Sequence, residues 1–98
     1  MASAEETLKA LFDAERAARQ HHSALRAEGD AKLVPVLEKA TASALKLEEG
    51  EEATIQLVRL ALILGDLEGD KVVDLLIDIL GGVSPEARVA AGEGLEAL

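Results

Sequence analysis

The sequence contains no cysteine, tryptophan or tyrosine, and Phe12 is its only aromatic residue. The lack of cysteine excludes disulfides, thiolate metal sites and a cysteine nucleophile. Basic residues are scarce relative to acidic ones, ten against 19, and the resulting net charge of −9 repels phosphate backbones and anionic lipid headgroups. We therefore expect neither nucleic acid nor a membrane surface as a partner.

Long apolar runs are missing as well, and the start of the chain shows no basic segment followed by an apolar stretch. These absences predict a soluble, cytoplasmic protein. The residues that are present are mainly aliphatic and acidic, a composition that favours helix. Because 98 residues can enclose only one core, we expect a single helical domain over residues 1–98.

Helix start and stop signals divide the chain into five segments. Ser3 with Glu6 forms a capping box, Asp30 and Asp70 follow glycines as candidate N-caps, and Ser84 precedes a proline suited to a first helical turn. No segment alternates with the period of a strand. The sequence therefore predicts an all-α fold, a five-helix bundle or short α-solenoid, with helices at about 4–28, 31–48, 52–64, 70–81 and 85–98.

The third and fourth predicted helices carry aliphatic residues nearly all round, from Ile55 to Leu64 and from Val72 to Leu80. A helix with this pattern lies in the centre of a domain or in an oligomer interface. The fourth helix has one polar stripe, which includes Asp74 and Asp78 and which we expect to face water.

A short tripeptide repeats along the chain, since Glu28-Gly29-Asp30 recurs as Glu68-Gly69-Asp70. In the stretch from the second tripeptide to Leu98, the second helix contains Arg88, Ala90 and Ala91. This stretch resembles a HEAT-like helix pair. That resemblance implies an α-solenoid used for protein interaction. The regular caps and glutamate-rich outer faces also resemble an idealised, computationally designed (de novo) helical protein.

The first predicted helix interrupts its apolar stripe with titratable groups. Its heptad-spaced face consists of Ala4, Leu8, Leu11, Glu15, Ala18, His22, Leu25 and Gly29. Glu15 and His22 lie in the middle of this stripe, roughly 10 Å apart along the helix axis. They are too distant to bond each other and could flank a ligand between helices. His21 points away from the stripe and is predicted to be exposed.

A ligand pocket against the first helix is the leading hypothesis. His22 suits iron coordination, Arg19 and Arg26 suit the propionates of a haem, and Thr41 and Gly92 belong to facing stretches of small residues. Haem is thus the first guess for a small molecule or cofactor held in a non-enzymatic scaffold. The predicted site comprises His22, Glu15, Arg19, Arg26, Thr41 and Gly92, with His22 as the metal ligand.

Other interpretations of the same residues remain open. Glu15 and Arg19 could form an ordinary exposed i, i+4 pair on a solvated face. The chain could be a HEAT-like interaction module or a self-associating building block that uses the apolar edge near Leu95 and Leu98, and thus a homo-oligomer. A designed acid–base catalyst using Glu15 and His22 is a further alternative, which the shortage of aromatic residues for a substrate pocket disfavours.

Overall fold

The computed structural model describes residues 3–98, and this part of the chain forms five helices and no strand. The all-α prediction is confirmed. The helices are α1 (Ala4–Ala27), α2 (Asp30–Ala44), α3 (Glu51–Leu64), α4 (Asp70–Leu80) and α5 (Pro85–Glu96). The largest difference from the predicted boundaries is at the end of α2, which stops four residues early because Leu45 and Leu47 turn inwards to pack against the core.

Two helices begin with the serine caps that the sequence indicates. The Ser3 hydroxyl accepts a hydrogen bond from the Glu6 amide, and the Ser84 hydroxyl accepts one from the Ala87 amide. The predicted aspartate caps of α2 and α4 are wrong. Glycine occupies the N-cap there, while Asp30 and Asp70 are the first helical residues. A carboxylate at this position still stabilises the helix by interacting with its dipole.

The glycines that precede α2 and α4 lie in a left-handed region of backbone space. Gly29 has a φ of 88° and Gly69 a φ of 118°. Side chains rarely tolerate this conformation, because their Cβ would clash with the backbone. The repeated Glu-Gly-Asp tripeptide is therefore a structural repeat, since it produces the same sharp entry into a helix at both places.

Helices α2 to α5 form two stacked layers, one of α2 and α4 and the other of α3 and α5. Helix α5 packs chiefly on α3 and α4, and α2 packs on α3 and α4, so alternate helices stack as well as consecutive ones. The α3 and α5 backbones approach closely at two glycines: a Cβ on Gly65 would lie 3.2 Å from the Cα of Gly94. Helix α3 thus contacts α2, α4 and α5, although Ile55 and Leu62 on its outer side are exposed.

The buried core draws on four of the five helices. Its largest fully buried side chains include Leu57, Leu64, Leu76, Ile79 and Val72. Helix α1 contributes no buried residue. On α4, Asp74 and Asp78 face water as expected, but Ile77 and Leu80 are exposed too, so this helix is buried on one side only.

Helix α1 gives the molecule its elongated shape. A helix of 24 residues is about 36 Å long. The structure measures 47 × 30 × 24 Å, and its radius of gyration is 14.5 Å, against roughly 13 Å for a compact domain of this size. Within residues 3–98, no helix is long and apolar enough to cross a membrane.

Candidate functional site

Glu15 lies on the exposed surface of α1 between two arginines. The Nε atom of Arg19 donates a hydrogen bond to Oε1 of Glu15 over 3.1 Å, and Nη2 of Arg59 on α3 lies 3.4 Å from Oε2. The hydrogen bond from Arg19, followed by the charge of Arg59, lowers the pKa of Glu15. The carboxylate is therefore held ionised and acts as an electrostatic tie between α1 and α3.

His22 lies two turns further along α1 and is hydrogen-bonded to the body of the protein, which consists of α2 to α5 and the turns between them. Its Nε2 donates a hydrogen bond over 2.6 Å to Oδ2 of Asp66, which follows α3 in the chain. The His22 side chain is 24% exposed, and Nη1 of Arg26 lies 4.0 Å from the same Asp66 oxygen. This small cluster holds the carboxy-terminal half of α1 against the turn between α3 and α4.

The two ties have the same direction and spacing. From Glu15 to His22 is seven residues on α1, and from their partners Arg59 to Asp66 is also seven residues. Helices α1 and α3 therefore run in the same direction along this segment. The prediction that Glu15 and His22 do not bond each other agrees with this geometry, in which each bonds a separate partner.

A groove of about 310 Å³ lies at the root of α1, by which we mean its carboxy-terminal half, where this helix meets α2 and α3. Its lining residues are Ala18, His21, His22, Leu25, Leu37, Arg59, Leu60 and Ile63. Leu37 and Ile63 belong to the buried core and form an apolar floor, while Arg59 and the two histidines supply nitrogen atoms. His21 is exposed, as predicted, but it contributes to the same groove as His22 rather than facing away from it.

The six predicted site residues do not form one constellation. His22 is the only one that lines the groove. Thr41 is buried within α2, and its hydroxyl has no hydrogen-bond partner among the described residues. Gly92 lies on α5, where a Cβ would meet only Leu80 at 4.0 Å. Arg19 is 79% exposed.

Sequence reasoning missed the residues that bind the first helix to the body. Arg59 and Asp66 each lie 44 positions from their partners on α1. Sequence patterns such as caps and helical periodicity extend over a few residues and do not predict a contact over that separation. The only signal was the position of Asp66 directly after the helix stop at Gly65, where a polar side chain is expected in any case.

Metal coordination finds little support in this arrangement. In the described part of the chain, no group of three or more histidine, cysteine, aspartate or glutamate side chains could hold a metal ion. His22 has one ring nitrogen engaged by Asp66. The carboxylate of Glu15 is likewise engaged, and it lies among arginines rather than further ligands.

Comparisons with protein-family models, curated proteins and solved structures gave no match for this chain.

Proposed function

We propose that this protein is a non-catalytic, self-associating helical interaction module in which α1 is the contact element. The observation that carries the proposal is the exposure of the apolar stripe on that helix. Leu8 is 49% and Leu11 62% exposed, and Phe12 beside the stripe is 51% exposed, although the stripe has the pattern of a helix that packs against a partner. Helix α1 buries no residue within its own chain.

The energetics of α1 favour a partner for this stripe. Most helices in proteins gain their stability by packing an apolar face, and α1 has no buried residue within its own chain. Complete burial of a Leu or Phe side chain contributes about 1.5–3 kcal/mol, so covering the exposed halves of these three contributes about 2–4 kcal/mol per chain. Clustered exposed apolar side chains of this kind mark interaction sites.

The polar residues of α1 support binding rather than catalysis. A general base at neutral pH needs a raised carboxyl pKa, but the arginines beside Glu15 lower its pKa. His22 is held by Asp66 in a structural hydrogen bond. Both residues are thus already used to position α1 on the body, while the amino-terminal half of the same stripe remains exposed.

The layered packing of α2 to α5 supports a HEAT-like architecture for that body. Each Glu-Gly-Asp tripeptide introduces a pair of helices, α2 with α3 and α4 with α5, and the second follows the first by 40 residues. Stacked helix pairs of this period are typical of solenoids that bind other proteins. Of the two leucines of the predicted contact edge, Leu95 packs against the core and Leu98 is exposed.

Self-association is tested by light scattering and sedimentation from micromolar to millimolar concentration. We expect a concentration-dependent dimer that Leu11→Gln weakens. Val89→Gln is the matched control, because Val89 on α5 is also 62% exposed and lies outside α1. A strictly monomeric protein would contradict the proposal. Dissociation by Val89→Gln but not by Leu11→Gln would assign the interface to α5 instead of α1.

A small-molecule site is the second candidate function, and the groove at the root of α1 favours it. Its apolar floor and basic rim suit an elongated apolar molecule with a carboxylate. Haem ligation through Nε2 of His22 would require the bond to Asp66 to break. Titration with dodecanoate, followed by NMR, tests this candidate: shifts confined to groove residues support it, and unchanged spectra reject it.

A further inference from the structure

We infer that the partner of α1 is the α1 helix of a second copy, and that the two helices pair antiparallel about a two-fold axis. In this arrangement the amino-terminal half of each α1 lies on the carboxy-terminal half of the other, over the groove at its root. The inference rests on the proposed self-association and adds to it the direction and register of the pair.

The spacing of the α1 stripe is that of a coiled-coil seam. Its members Ala4, Leu8, Leu11, Glu15, Ala18, His22 and Leu25 are separated alternately by four and three residues. A repeat of 3.5 residues keeps one narrow face towards a single partner helix over several turns. Only Ala18 and His22 of this stripe are half-buried in the chain itself, so the seam extends beyond what the body covers.

The charge distribution along α1 determines the direction of pairing. Residues 4–15 contain four carboxylates (Glu5, Glu6, Asp13, Glu15) and Lys9, a net charge of −3. Residues 16–27 contain three arginines (Arg16, Arg19, Arg26) and no carboxylate, a net charge of +3. An antiparallel pair places each acidic half on a basic half. A parallel pair places like charges together, which is destabilising.

The same charges determine the register. If only the exposed amino-terminal halves overlapped, eight carboxylates from two copies would be brought together. If instead the amino-terminal half of each α1 overlaps the carboxy-terminal half of the other, Leu8 faces Leu25 of the second copy and Leu11 faces its His22. Glu5 then approaches Arg26 of the second copy. The groove beside Leu25 is lined mostly by apolar side chains and by no acidic residue, so it offers an apolar surface to the stripe of the arriving helix.

The absence of cysteine makes disulfide trapping a direct test of this register. We expect Leu8→Cys and Leu25→Cys proteins, mixed and mildly oxidised, to form the mixed disulfide dimer in preference to either homodimer. In the antiparallel pair the two copies of residue 8 lie 17 residues apart along the axis, about 25 Å. A disulfide spans Cα atoms no more than roughly 7 Å apart. Asp78→Cys paired with Leu25→Cys is the control, because Asp78 lies on the exposed side of α4.

The outcomes separate this inference from the proposed function. A dimer by light scattering in which Leu8→Cys links to itself would show parallel pairing, and would overturn the inference while self-association stands. A monomer without cross-links would overturn both. Charge exchange gives a second readout: Arg26→Glu should weaken the dimer several-fold, and mixing it with Glu5→Lys should restore association. Failure of that rescue, with folding unchanged by circular dichroism, would contradict the register.

Discussion

Two glycines on α5, two residues apart, should respond in opposite ways to the same substitution. A Cβ at Gly92 would meet only Leu80 at 4.0 Å, an ordinary contact. A helix-interior glycine costs about 0.5–1 kcal/mol relative to alanine. We therefore expect Gly92→Ala to stabilise the protein by that amount, or to raise Tm by about 2–8 °C at roughly 4–8 °C per kcal/mol.

At Gly94 the same methyl group has no room. It would lie 3.3 Å from the Cα of Gly65 and 3.3 Å from Cδ2 of Leu76, and Leu76 is itself fully buried. One neighbour is helix backbone and the other is held by the core, so neither moves aside easily. Overpacking of this kind costs about 1–3 kcal/mol. After subtraction of the gain in helix propensity, Gly94→Ala should destabilise the protein by up to about 2.5 kcal/mol.

Urea unfolding followed by far-UV circular dichroism measures both variants under one set of conditions. Opposite signs would establish the close approach of α3 and α5 that organises the two layers. Equal stabilisation by both alanines would contradict this close approach, because it would mean that Gly94 does not contact the end of α3.

Three further predictions concern the polar residues. Replacing the buried Thr41 by Val removes a hydroxyl that has no partner among the described residues, and should stabilise the protein by about 1–3 kcal/mol in urea unfolding; a loss of stability would show that the hydroxyl is satisfied. Asp66→Asn removes the charge that holds His22, so hydrogen exchange should accelerate in the second half of α1 while global stability falls by no more than about 1 kcal/mol, as for exposed pairs; unchanged exchange would contradict the tie. Because the folded-state pKa of Glu15 is lowered, its contribution is present above the unfolded pKa and is lost as the pH falls through the folded pKa. Glu15→Gln should therefore lose less stability than the parent chain on acidification, and parallel curves would show that the arginine contacts are absent.

The residues of the predicted site could be found from the sequence only in part. Glu15 and His22 interrupt the apolar stripe of α1, and both contact the body of the protein. What the pattern could not supply was their partners, because Arg59 and Asp66 lie 44 residues away. Thr41 and Gly92 were included for their small size, yet they lie away from the groove, since residue size carries no information on which helix faces which.

Helix starts were predictable where the signal is local. Ser3 and Ser84 cap their helices because the hydroxyl reaches an amide three residues ahead, which depends on neighbouring residues alone. The entries of α2 and α4 were located to within a residue, but the cap was assigned to the aspartate. The left-handed backbone of Gly29 and Gly69 makes the glycine the boundary instead.

The sequence by itself determined that this chain forms five helices, because caps, glycines and aliphatic periodicity act over a few residues. Only the tertiary structure decided which apolar residues are covered. On α3, Leu57 and Leu64 are buried, while Ile55 and Leu62 are exposed. On α1, an equally regular stripe lies largely in solvent. Periodicity indicates which face of a helix can pack, whereas burial depends on which surfaces the fold brings against that face.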